Sequence, residues 1–229
     1  MVAAVVQADG PFFRDGLDNP SGTFTGATTA GNAVIVAMIS YQGAITSITD
    51  SSTTNLTIDV DAVNTDQRVV IASRLNSPSV TGVTSVGSSG YWVTFLFEVS
   101  GILTASALDT GVTATDGDAD GTPAASITAA GALAQAGNFV LAVMGFSGGS
   151  ATEGISTPSG YTNINSNDGS AHETGCVSYK ISSGIETPSA AWTYSTTANW
   201  QSAIVAFKDT GGGGGGGSSP RNMLLLGVG

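Results

Sequence analysis

Two stretches decide how this chain reads: "GNAVIVAMISYQG" (residues 31–43) and "GNFVLAVMGFSGG" (residues 137–149). Each opens on Gly-Asn, runs through an almost unbroken apolar segment and closes on Gly. Gly, Asn, Val, Met and the last Gly recur at an offset of 106 residues. A nearly continuous apolar run of this length fits a central strand covered on both faces. The neighbouring sequence lines up around these anchors. At the same offset, "RVVIASRL" from Arg68 faces "TGCVSYKI" from Thr174, and at an offset of 108 "WVTFLF" from Trp92 faces "WQSAIV" from Trp200. "VVQADG" from Val5 also resembles "VTATDG" from Val112. Landmarks repeated in the same order predict a β unit of about 105 residues written twice.

The expected organisation is a first β-sandwich half over residues 1–106 and a second over 107–210, as two domains or one shared sandwich. A Gly/Ser linker at 211–219 and an apolar tail at 220–229 follow. Strand candidates in the first half lie near 2–8, 22–26, 33–41, 45–49, 55–60, 68–75 and 91–99. In the second they lie near 111–115, 125–129, 138–146, 161–164, 174–182, 189–195 and 200–208. They are rich in Val, Ile, Thr, Tyr and Phe and bounded by Gly, Asn, Asp, Ser or Pro. "NLTIDVDAV" (residues 55–63) alternates, which places Leu56, Ile58 and Val60 on one face. "AAGALAQAG" (129–137) looks helical in composition but has no amphipathic period. The class is all-β, a β-sandwich or jelly-roll-like fold built from two sequence-related halves. The connection "ILTASALD" (102–109) is apolar, unlike a linker, and favours halves packed tightly together.

Composition narrows the function. Charged residues make up 10% of the chain and apolar residues 41%, a balance suited to strands and poor for surface helices. Net charge is −11 with six basic residues, too few to neutralise phosphates, so nucleic acid and anionic membranes are not expected partners. The single Cys176 excludes an internal disulfide framework. "MVAAVVQADG" shows neither the basic region nor the apolar core of a signal peptide, and no window has the roughly 18 apolar residues of a membrane span. A hydroxyl-rich, outside-type surface without export signal or disulfides points to a virion protein made in the host cytoplasm.

A resemblance carries this further. The pattern G-[DN]-x-V-[IL], the later "FEVSGI…ALDT", a second such strand and the closing "WQSAIVAFK" are similar to duplicated β-sandwich structural proteins of tailed bacteriophages and some bacteria. The ending "GGGGGGGSSPRNMLLLGVG" resembles the tails of small phage structural proteins. The resemblance implies a capsid-decoration, tail or fibre component. It implies no catalytic residues, and other virion proteins and copies of the chain itself are the expected partners.

Several residues invite a chemical reading. "GFSGG" matches G-x-S-x-G around Ser147, and Asp168 and His172 follow in hydrolase order, but the helix that a nucleophile elbow needs is missing after Ser147. His172 and Cys176 stand four apart, about 13 Å on an extended strand, too far to touch unless the chain turns. Cys176 reads instead as a small buried strand residue. No enzyme is expected. "DGDADGT" places Asp116, Asp118 and Asp120 as in the first half of a calcium loop, though Ile127 occupies the twelfth position where a bidentate acid belongs. This leaves Ca²⁺ as the one cofactor candidate, beside a plain acidic turn. Trp192 is a candidate for stacking a surface glycan, the basis of an alternative carbohydrate-binding or receptor-binding reading, whereas Trp92 and Trp200 occupy equivalent repeat positions and read as packing.

The tail is the most distinctive element. Its nine-residue linker, Gly211–Ser219, spans about 15–18 Å as a coil and roughly 30 Å stretched. Met223, Leu224, Leu225, Leu226 and Val228 then form an apolar peptide that is a liability in water. It either folds back on its own sandwich or docks on a neighbour by adding a strand to a sheet edge.

Overall fold

The computed structural model describes residues 2–17, 19–118, 124–146, 154–166, 174–195 and 198–211. These residues form fifteen β-strands and no helix. The strands are β1 (Ala4–Leu17), β2 (Ser21–Thr23), β3 (Ala33–Tyr41), β4 (Ile45–Asp50), β5 (Thr57–Asn64), β6 (Gln67–Arg74), β7 (Gly82–Gly87) and β8 (Gly90–Ser100). They continue as β9 (Ala114–Asp118), β10 (Ala124–Thr128), β11 (Phe139–Phe146), β12 (Thr162–Ser166), β13 (Thr174–Ile181), β14 (Ser189–Thr193) and β15 (Trp200–Phe207). The fold is all-β, as the sequence predicts.

Two five-stranded antiparallel sheets form the middle of the molecule, in the orders β1-β8-β3-β6-β5 and β9-β15-β11-β13-β12. The apolar runs are their central strands, β3 and β11. Alternate residues of each run serve two cores. Ile35, Ala37 and Ile39 of β3 face Phe139, Leu141 and Val143 of β11 in a core between the two sheets. Val34, Val36 and Met38 point the other way, onto the small sheet β2-β7-β4. Val140, Ala142 and Met144 likewise point away from the middle, onto the two-stranded sheet β10-β14. Four layers result, and the central strands of the inner two are buried on both faces. This is why neither run shows a polar residue every second position.

The register of the two inner sheets matches as well. Val34 pairs with Arg74 and Glu98, while Val140, 106 residues on, pairs with Lys180 and Ala206. The Gly-Asn pairs that open the runs make the same turn. Gly31 and Gly137 sit at φ 96° and 84°, a left-handed region that costs glycine little. Their N–H groups donate to the carbonyls of Ser77 and Ser182, 2.8 and 2.9 Å. Ser77 and Ser182 in turn donate to the Asn32 and Asn138 carbonyls, both at 2.9 Å.

The connector after β8 runs beside the end of β15 rather than through solvent. Leu103 donates to Lys208, Lys208 to Ala107 and Asp109 to Ala206, at 3.0, 2.8 and 2.8 Å. The aromatic rings of Phe97 and Phe139, 5.9 Å apart, and of Phe97 and Tyr179, 5.4 Å apart, meet in the central core.

Several local expectations shift. Strand β1 runs on to Leu17 with register breaks between Val5 and Gln7, across Gly10–Pro11 and between Asp15 and Leu17, and β7 appears where Gly, Thr and Ser diluted the strand signal. "AAGALAQAG" is bends and extended chain. The clean alternation of β5 is broken by a bulge. Ile58 pairs with Ala72 and Val60 with Ile71, leaving Asp59 as the extra residue. Leu56 and Ile58 therefore face the outer core, and Val60 and Ala62 face the central one. The expected single face of Leu56, Ile58 and Val60 is corrected accordingly.

Candidate functional site

A layered sheet protein meets other molecules where strands lack a neighbour, because unpaired N–H and C=O groups line every open edge. The two inner sheets end on β5 and β1, and on β9 and β12. Their chemistry differs from edge to edge.

Strands β5 and β9 lie side by side and enclose a polar cleft of about 390 Å³ lined by Asp61, Asn64, Thr115, Asp116, Gly117 and Gln201. Asp61 accepts from Arg68 Nε and Nη2 at 2.6 and 2.8 Å. That paired carboxylate holds the Arg68 guanidinium above its ordinary pKa. Asn64 Nδ2 crosses to the Trp200 carbonyl at 3.1 Å, and Gln201 Nε2 donates to the Asp116 carbonyl at 2.9 Å. The Asn64 bond ties the two inner sheets together at this edge, and the Gln201 bond braces β9 against β15 within one of them. Asp59, on the bulge next to the cleft, is pushed up to about 6 by burial, against a hydrogen bond from Ser73 that works to lower it. Acids on both strands oppose the addition of a foreign strand.

The β1 edge is different. Its pairing with β8 slips between Val5 and Gln7, between Asp9 and Phe12 and between Asp15 and Leu17, and it carries Pro11, which has no N–H to offer. Its middle is partly covered, since Gln7 Nε2 donates to the Gly26 carbonyl and Asp9 accepts from Thr25 Oγ1. The first stretch is open and apolar: Val2 is 61% and Val6 52% exposed, and Ala4 between them is exposed too. No described strand pairs with β1 on the side away from β8. The chain leaves the sandwich at the same place. Ile102 bridges Asp209, and Thr210 N donates to the Gly101 carbonyl at 2.7 Å, while Gly101 packs directly against the backbone of Val2 and Ala3. The glycine run therefore starts beside the open end of β1.

The residues singled out from the sequence fall in several places. Asp116 and Asp118 lie in the edge strand β9, paired opposite Ser202 and Trp200, and not in a loop that converges on an ion. On an extended strand residues two apart are separated by roughly 7 Å. Asp120 lies outside the described residues, and among the described residues no three His, Cys, Asp or Glu side chains gather as metal ligands. Trp192 does not present a stacking face: it is 1% exposed, packed in the core under β14, and its indole N–H donates to Ser178 Oγ at 2.9 Å. The inward face of β14 is a register property that a strand of five residues does not announce. Trp92 and Trp200 are buried as well. Cys176 is fully buried in β13, and burial pushes its thiol well above the ordinary range, against hydrogen bonds from Ser178 and Asn163. Ser147, Asp168 and His172, the linker from residue 212, and Met223, Leu224, Leu225, Leu226 and Val228 lie outside the described residues.

Sequence reasoning missed the open β1 strip and the buried Glu98. The only sequence signal for the strip is the apolar "MVAAVV" opening, which reads equally well as a core strand. Among the described residues no helix is long and apolar enough to cross a membrane. No family model, curated protein or solved structure matches the chain.

Proposed function

We propose that this chain is a non-enzymatic structural protein of a virus particle, a capsid-decoration, tail or fibre component. It assembles through its sandwich surfaces and through the apolar peptide at 220–229. The observation that carries the reading is the contrast between a closed, four-layered body and the peptide tethered to it. The strands before residue 211 complete their own cores, so Met223, Leu224, Leu225, Leu226 and Val228 are not needed to fill them. Full burial of five such side chains is worth about 8–12 kcal/mol gross, less the cost of ordering the peptide. The low charge density and the resemblance to phage β-sandwich proteins support a particle surface as the setting.

The test compares the full chain with a chain ending at Thr210 and with Leu225→Asp. The expected result is an unchanged melting temperature with loss of higher-order association in both, read by light scattering and electron microscopy. Assembly that proceeds equally well in all three would remove the tail from the function.

A further inference from the structure

The edge strand β1 and the strand it covers are an unequal pair. Every residue of β8 from Trp92 to Val99 is buried, whereas among the described side chains of β1 none is. Val5, Ala8 and Phe13 pack only partly against the central core, and Phe12 partly against the outer one. The central strands β3 and β11 pair with both of their neighbours without a slip, but β1 slips three times against β8. The slips make the pair specific. Gly10, at φ 126°, lies so close to β8 that a Cβ there would stand 2.8 Å from the Thr94 carbonyl oxygen. Gln7, opposite Glu98, donates to its carboxylate at 2.6 Å, and Phe12 and Phe13 turn to different cores. A strand of another sequence has neither the glycine nor the bulges at these points, so the edge of β8 fits a copy of β1 and little else.

We infer that β1 is an exchangeable strand, and that in the assembled protein the β1 of one copy pairs with the β8 of another. The inference rests on the reading that copies of this chain assemble, and it names the element they share. β1 belongs to an inner sheet and β2 to an outer one, and the connection between Leu17 and Ser21 is short. Straightening a short connection of this kind carries an edge strand to a neighbour. The bonds that hold β1 at home run from Gln7 to Glu98 and to the Gly26 carbonyl, and from Thr25 to Asp9. They are broken on leaving and made again with the same groups of the next copy. Exchange therefore costs the freedom lost on association and little contact energy. An empty β8 edge would be hazardous, a long apolar strand with unpaired backbone groups. Filled by its own β1 or by an identical one, it stays covered while copies are joined. The second half has no matching element. β9, which takes the place of β1 beside β15, is five residues long, and the end of β15 is bonded to the connector after β8.

A disulfide placed across the pair in the full chain reads which β8 each β1 occupies. Ala4 and Ser100 are direct partners at positions that are not buried, and cross-strand partners stand within disulfide reach. The native Cys176 is fully buried and does not compete. The variant carrying both Ala4→Cys and Ser100→Cys is oxidised after assembly and run on a non-reducing denaturing gel. The expected result is bands of linked dimers or longer chains, returned to the monomer by reductant. The same variant oxidised as a dilute monomer is locked to its own β8 and should lose association altogether, with recovery on reduction. A locked chain that assembles normally, or an assembly whose disulfides all lie within single chains, would overturn the exchange and leave the assembly reading standing. A full chain that stays monomeric at every concentration would overturn both.

Discussion

The two halves of the molecule treat one structural position in opposite ways. In the first, Asn32 enters the central strand β3 and its Nδ2 donates to Glu98 of β8 at 2.5 Å. Glu98 is 1% exposed and also accepts from Thr29 N at 2.8 Å and Gln7 Nε2 at 2.6 Å. Burial works to raise its pKa, and these hydrogen bonds outweigh it and leave the carboxyl below its usual range. In the second half Asn138 makes the same backbone turn, but Ala206 stands in the register position of Glu98. The side-chain oxygen and nitrogen of Asn138 are buried with no partner among the described residues. The comparison separates two roles of one motif. The Gly-Asn turn is needed by the backbone in both halves. The Asn side chain works only in the first, where it helps a buried carboxylate pin the loop 26–32 and β1 to β8.

The largest expected effect is at Glu98. Glu98→Ala leaves the Thr29, Asn32 and Gln7 donors without their buried acceptor and should cost about 3 kcal/mol in urea unfolding. The loss should be accompanied by faster amide exchange in β1. A cost near that of an ordinary surface substitution would mean the network is decorative and would erase the contrast. Next in size is the paired test. Asn32→Leu removes a hydrogen bond to a charged group and should cost about 2 kcal/mol, whereas Asn138→Leu removes two unpaired polar atoms and should be neutral or stabilising. Equal costs at the two positions would break the comparison.

The smallest effect is in the pH dependence, and it too belongs to the first half, since β12, at the edge that matches β5, carries no carboxylate. The folded pKa of Asp59 is raised from 3.8 to about 6 by burial, so the folded state holds its proton more tightly than the unfolded chain. Its contribution is fully present below about pH 4 and is lost as pH rises through about 6. Asp50 and Glu98 act in the opposite sense. For Asp50, burial raises the pKa and is outweighed by hydrogen bonds from Ser52, Arg74 and Thr54, so both carboxyls are lowered and their stabilisation disappears only in acid below their unfolded values. Between pH 5 and 7 Asp59 alone among these three changes charge. Stability should therefore fall by about 1 kcal/mol across that window, allowing for solvent screening at a partly exposed site. Asp59→Asn should flatten the profile. A wild-type profile that is already flat, or that rises, would place Asp59 in water.

How much was legible follows from the range of the interactions involved. The runs at 33–41 and 138–146 announced central strands because a half-exposed element does not tolerate so nearly unbroken an apolar run, and both prove buried on two faces. Cys176 was legible as a packed strand residue for the same reason. The bulge at Asp59 was not, because "LTIDV" alternates identically with or without an unpaired residue, and only the pairing with β6 reveals the slip. Trp192 misled because an aromatic side chain advertises stacking surface whichever side of its strand faces the core. The tail was visible as composition alone. The edge beside it depends on the bridge between Ile102 and Asp209, residues far apart in the chain.

The sequence by itself determined the all-β class and the identity of the two innermost strands, since both depend on local patterns of apolar residues and turn formers. Only the tertiary structure decided which edges carry acids, which edge stays apolar and open, and that the chain leaves the body beside it. Those are consequences of which distant strands become neighbours, and pairing between distant strands is set by the packing of whole faces rather than by any window of sequence.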